Sequence, residues 1–135
     1  MIPTAVLNQF IFYPDAEFYA SPTAFGLAAR DIWLRTADGL RLHGWFFARR
    51  SPVATVLFLH GNAGNISHRL DNVRLLLDLN VQVFIIDYRG YGRSEGSPDE
   101  AGTYEDALTA WQWMATEIPG PHLLFGRSLG GAIAI

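Results

Sequence analysis

The sequence predicts an α/β domain: an antiparallel hairpin followed by a parallel sheet with helices on both faces. Three observations carry this reading. Unbroken apolar runs at 54–59, 81–86 and 122–125 have the pattern of strands buried on both sides. Each run is followed by a glycine-rich loop, and the segments between them place apolar residues at helical spacing. Strands that alternate with helices form parallel sheets, whose sites sit at the carboxyl ends of the strands.

The elements follow in order. Residues 1–27, with Tyr13-Pro14-Asp15 and Ser21-Pro22, read as an irregular N-terminal arm, and 28–135 as the domain proper. Residues 31–36 and 40–47 alternate around Asp38-Gly39, which signals a hairpin. After the first buried strand comes His60-Gly61-Asn62-Ala63-Gly64-Asn65. Asn65 is the expected N-cap of a helix with Ile66, Leu70, Val73 and Leu77 on one stripe. The second buried strand opens into the long loop 87–96. Ser97-Pro98-Asp99-Glu100 then reads as a capping box with proline at the first helical position. The helix it starts is expected to bury Ala101, Tyr104, Leu108, Trp111 and Ala115. The third strand, expected to be buried, runs into Gly126-Arg127-Ser128-Leu129-Gly130. The apolar ending 130–135 has no capping residue and reads as a chain cut within an element.

Composition removes several chemistries. At 135 residues, the chain is about one domain. All basic residues are arginine, so there is no P-loop lysine, Schiff-base lysine or serine–lysine dyad. There is no cysteine, so there is no thiol nucleophile, disulfide or cysteine metal site. A net charge of −3 gives no electrostatic case for nucleic acid as a partner. No apolar run is long enough to span a membrane and the N-terminus does not read as a signal peptide, so the expected location is cytoplasmic. The acids Asp99, Glu100, Glu105 and Asp106 read as a helix start and a solvated face, without metal-ligand spacing. No metal and no cofactor are expected. Gly90, Gly92 and Gly96 resemble a dinucleotide loop, but the spacing is one residue too long and the next helix starts after the last glycine. A nucleotide-binding doubly wound domain is the lesser alternative.

The chemistry concentrates in two loops. Gly126-Arg127-Ser128-Leu129-Gly130 is Gly-x-Ser-x-Gly at a strand–helix junction, the context in which a serine hydroxyl is pushed out of a sharp turn as a nucleophile. The alternative is a serine that merely caps a helix between two glycines. An acyl-transfer serine needs two backbone N–H donors for its oxyanion. Leu129 would supply one and Asn62, in the loop after the first parallel strand, the other. His60 reads as a brace for that loop, and Asp87 as a brace for its own loop through Arg89 or Arg93. His43, His68 and His122 have no catalytic placement.

These residues carry a family resemblance. His60–Asn65, the run Asp87-Tyr88-Arg89-Gly90-Tyr91-Gly92-Arg93-Ser94-Glu95-Gly96-Ser97-Pro98 and Gly126–Gly131 together resemble the alpha/beta-hydrolase superfamily. The likeness is to its abhydrolase-domain, serine-aminopeptidase-like branch, which includes protein depalmitoylases. Phe12-Tyr13-Pro14 and Thr36–Trp45 fit that branch too. The resemblance implies the N-terminal portion of an alpha/beta-hydrolase fold, truncated after the nucleophile elbow. Residues 28–135 would then be an incomplete domain whose missing C-terminal segment completes the same fold. It also implies a serine hydrolase that forms an acyl-enzyme on Ser128 from an ester, thioester or amide, with a small molecule or acylated protein as substrate. In that family the acid and histidine of the triad follow the serine, and no Asp, Glu or His lies between Ser128 and Ile135. A chain of this extent is therefore expected to be inactive alone, and a non-catalytic remnant is the second alternative.

Overall fold

The computed structural model describes residues 12–126. In chain order these are β1 (Tyr13–Pro14), a 3-10 turn (Pro22–Phe25), β2 (Arg30–Arg35), β3 (Arg41–Phe47), β4 (Ala54–Leu59) and β5 (Ala63–Gly64). A second 3-10 turn (Ile66–Arg69) leads into α1 (Leu70–Leu77), followed by β6 (Val81–Ile86), α2 (Glu100–Glu117) and β7 (His122–Gly126). The main sheet has the order β2-β3-β6-β4-β7. β2, β3 and β6 pair antiparallel in sequence across the sheet, and β4 pairs parallel with both β6 and β7. This is the expected hairpin followed by a parallel sheet.

Alternation along the strands divides the core in two. Val56, Phe58, Val83 and Ile85 face α1 with Leu70, Val73 and Leu77. Leu57, Leu59, Phe84 and Ile86 face α2 with Ala110 and Met114. The two helices therefore cover opposite faces, and burial of each large side chain contributes roughly 1.5–3 kcal/mol. Gly44 permits the close β3–β6 approach: a Cβ there would lie 2.7 Å from the Ile85 carbonyl oxygen.

The hairpin stands, with the segment 36–40 as its connection, since Arg35 pairs with Arg41. Thr36 closes it by hydrogen-bonding the Leu40 N–H through Oγ1 at 2.9 Å. Three other local expectations are corrected. α2 is capped by Asp99, whose carboxylate accepts from the Gly102 N–H at 2.5 Å, and not by Ser97. Its buried face runs through Thr103, Asp106, Ala110 and Met114, while Tyr104 and Leu108 are 44% and 49% exposed. The helix is rotated from its apolar stripe because Asp106, expected on a solvated face, finds a buried cationic partner in Arg89. Finally, β7 is not buried: Leu123, Leu124 and Phe125 are 52%, 42% and 41% exposed. β7 ends the sheet order, and among the described residues β4 is its one neighbour.

Candidate active site

β4 and β7 are adjacent parallel strands, and Leu59 pairs with Gly126 at their carboxyl ends. The loop that begins at His60 and the chain that enters Gly-x-Ser-x-Gly therefore leave the sheet side by side, about 4.8 Å apart. Ser128 and Leu129 lie outside the described residues. Asn62 lies within them, three residues beyond the end of β4.

The 60–65 loop is held at both of its peptide faces. His60 is fully buried, and its Nδ1 lies 2.6 Å from the Gly61 carbonyl oxygen. A carbonyl only accepts, so Nδ1 carries the proton. The C=O and N–H of a trans peptide point in opposite directions, so fixing the Gly61 carbonyl fixes the direction of the Asn62 N–H. The Asn62 carbonyl is held separately, by the Tyr91 hydroxyl at 2.6 Å and the Tyr13 N–H at 2.9 Å. Tyr88 donates to the His60 carbonyl at 2.7 Å, and its ring packs on the imidazole with centroids 4.5 Å apart. Burial pushes the phenols of Tyr88 and Tyr91 well above their ordinary range, so both remain donors at neutral pH.

Asn65 ties this loop to the N-terminal arm. Its Oδ1 caps the following turn by accepting from the Ser67 N–H at 2.9 Å, as expected of an N-cap. Its Nδ2 donates to the carbonyls of Asp15 and Glu17 at 2.9 and 2.7 Å. His68 completes the cap by accepting from the Asn65 N–H through Nδ1 at 3.1 Å, so its role is structural. The arm also donates from Asp15 N–H to the Gly64 carbonyl at 3.0 Å, in the short β1–β5 ladder.

Asp87 does not pair with Arg89 or Arg93. Its buried Oδ1 accepts from the Ile66 N–H at 2.9 Å and lies 3.2 Å from His60 Nε2, without hydrogen-bond alignment to that ring. Arg89 turns the other way. Its Nε and a terminal nitrogen donate to Asp106 at 3.1 and 2.8 Å, and its other terminal nitrogen to Asp38 at 2.8 Å. Those hydrogen bonds, Arg89 first, hold the exposed Asp38 carboxyl down to about 2. Burial raises the Asp106 carboxyl, against the pull of Arg89. The Arg89 N–H adds a main-chain donor to Asp106 at 2.7 Å.

The glycines of the long loop serve turns. Gly90, Gly92 and Gly96 all have positive φ, and α2 starts after them, so they do not present a helix N-terminus to a pyrophosphate. Among the described residues no three His, Asp or Glu side chains converge on a metal position, and no helix is long and apolar enough to cross a membrane.

A family model described as Serine aminopeptidase, S33 matches residues 50–135. The chain belongs to this alpha/beta-hydrolase family. The chain is 45% identical over 121 residues to the alpha/beta hydrolase domain-containing protein WAV2 of Arabidopsis thaliana, covering 84% of this chain and 39% of that protein. It is 39% identical over 142 residues to protein bem46 of Schizosaccharomyces pombe, covering 93% of this chain and 46% of that one. Its fold matches the Pyrococcus furiosus esterase Pf2001 with a TM-score of 0.76 at 22% identity, over 90% of this chain and 50% of the esterase. The chain thus spans half or less of the length of these relatives. The fold is that of a partial alpha/beta hydrolase.

The sequence pointed to the bracing role of His60. It did not reveal Tyr88, Tyr91 and Asn65 as the loop's tethers. The available signal was the Tyr-x-x-Tyr spacing in a glycine-rich loop at the same sheet edge.

Proposed function

We propose that the protein is a serine hydrolase acting on an ester, thioester or amide through an acyl-enzyme on Ser128. The observation that carries this reading is the pairing of Leu59 with Gly126. It brings the start of the braced 60–65 loop and the start of Gly-x-Ser-x-Gly to one edge of the sheet. In this mechanism Ser128 Oγ attacks the substrate carbonyl carbon. The Asn62 and Leu129 N–H groups receive the negative charge that develops on the carbonyl oxygen. The alcohol, thiol or amine departs with a proton, and water then releases the acyl group and restores the serine hydroxyl. A rigid pair of donors needs no reorganisation as charge develops, and one such donor is worth roughly 2.7–4 kcal/mol in a related site. The buried His60–Gly61 contact and the two phenol donors supply that rigidity on the Asn62 side.

We assign the general base and its orienting acid to the part of the family fold that this chain does not cover, since it spans 39% and 46% of the two relatives. A small molecule or an acylated protein is the proposed substrate. The test is p-nitrophenyl acetate hydrolysis by the full-length protein and its Ser128→Ala variant. The alanine removes the attacking oxygen and leaves the turn intact, so turnover should drop to background. Loss of a triad serine costs about a million-fold in the subtilisin case. Equal turnover by the two proteins would mean that Ser128 is only a helix cap.

A further inference from the structure

We propose that the groove between the N-terminal arm and the β2–β3 hairpin binds a free α-amino acid, with its ammonium group on Asp31 and its carboxylate on Arg93. The proposal does not depend on the hydrolase reading. The groove has a volume of about 490 Å³ and is walled by Phe18, Pro22, Thr23 and Trp45, with Asp31 and Arg93 among its lining residues. That volume is in the range of small-molecule pockets.

Asp31 is an aimed carboxylate rather than a loose surface acid. Its Oδ1 accepts from His43 Nε2 at 2.6 Å and from Trp45 Nε1 at 3.1 Å, and both donors are buried. The hydrogen bond from His43, first among the causes, holds the Asp31 carboxyl below the usual carboxylate range, so it is ionised at neutral pH. The side chain is nevertheless 57% exposed, and among the described residues Oδ2 accepts no hydrogen bond. This arrangement is costly to the fold. It buries His43 completely, with Nδ1 lacking a hydrogen-bond partner among the described residues. An unsatisfied buried polar atom costs about 1–3 kcal/mol. Two buried donors converging on one half-exposed acid are the support expected behind a binding group.

Arg93 is held from the other side. Its guanidinium lies over the Phe18 ring, 4.2 Å from the centroid. Among the described residues it makes no hydrogen bond and no ion pair, although it is near enough to Asp31 to lower its carboxyl. Two opposite charges therefore share one groove, each fixed by an aromatic neighbour, and do not neutralise each other. A ligand with a single charge is attracted by one of them and repelled by the other. A zwitterion satisfies both, and an apolar side chain can cover the Trp45 wall. The charges supply selectivity and the apolar wall most of the affinity.

The test is calorimetric titration of the full-length protein with L-phenylalanine, N-acetyl-L-phenylalanine and L-phenylalanine amide. The two capped compounds each lose one charge and keep the side chain. Asp31→Asn keeps an acceptor for His43 and Trp45, and Arg93→Gln removes no hydrogen bond of the described residues, so both variants should still fold and melt cooperatively. Saturable binding of L-phenylalanine is expected, weakened about tenfold or more by either cap and by either substitution. Absence of binding by the wild type would overturn the proposal, as would equal binding of the capped compounds or undiminished binding by variants that melt cooperatively. Phosphoethanolamine is the control for a zwitterionic headgroup; its binding in place of the amino acid would also overturn the assignment. A failure here leaves the Ser128 experiment untouched, and the reverse holds.

Discussion

Arg89 and Asp106 should behave as one unit in stability measurements. Asp106 is fully buried on α2, and the Arg89 side chain is only 7% exposed. Removing one partner leaves the other charge buried without compensation, which typically costs about 3–5 kcal/mol. Arg89→Met should fall in that range, since Asp38, its second partner, is half-exposed and loses little. Asp106→Leu should cost as much, and roughly 1–3 kcal/mol more, because the Arg89 N–H loses its 2.7 Å acceptor. The double variant leaves no uncompensated charge. Its main remaining cost is the orphaned N–H, so it should be no less stable than either single variant. The sign with pH is also fixed. Burial raises the Asp106 carboxyl and Arg89 pulls it back, so in Arg89→Met the acid rises further. An acid raised in the folded state is stabilising when protonated, so the deficit of Arg89→Met should shrink as pH falls toward 4. Urea unfolding of the four full-length proteins measures this directly. Additive losses from the two single substitutions would refute the reasoning, because independent surface contacts add and a buried ion pair does not.

Other consequences concern single residues. Gly92→Ala should destabilise by at least about 2 kcal/mol, seen as a lower melting temperature: φ is +51°, and a Cβ would overlap Asp87 Oδ2 and approach Phe18 within 2.9 Å. His60→Phe keeps a ring against Tyr88 but frees the Gly61 carbonyl, so kcat on p-nitrophenyl acetate should fall at least tenfold with little change in KM. An unchanged kcat would exclude a role for His60 in orienting the Asn62 peptide. Burial holds the His43 imidazole below its ordinary 6.5. Below that pH the unfolded chain takes a proton that the folded one refuses, so stability is lost as pH falls. His43→Gln should make that loss shallower, by up to about 1.4 kcal/mol per pH unit, in urea titrations between pH 6.5 and 5.

Strand identity was legible because both faces of β4 and β6 are covered, which leaves an apolar run with no polar alternation. The turn chemistry was legible where one side chain closes it, as Asn65 does. β7 has the composition of a buried strand, and it is exposed because among the described residues β4 is its one paired neighbour. The helix face was hidden. α2 carries a better apolar stripe through Tyr104 and Leu108 than the one it buries. The choice between faces is made by Arg89, which lies 17 residues away from Asp106 in the chain. The site divides in the same way. The brace at His60 follows from a loop at a strand's carboxyl end, whereas the loop's tethers Tyr13, Tyr88 and Tyr91 become visible only when the loops are folded together.

The most direct test of the hydrolase reading is covalent labelling of the full-length protein with a fluorophosphonate, read by intact mass and peptide mapping. A nucleophilic serine attacks the phosphorus and expels fluoride, leaving one phosphonyl group on Oγ. The account predicts a single adduct on the peptide containing Ser128, and none on the Ser128→Ala variant. An adduct on another residue, or a protein that hydrolyses p-nitrophenyl acetate while Ser128 stays unlabelled, would contradict it.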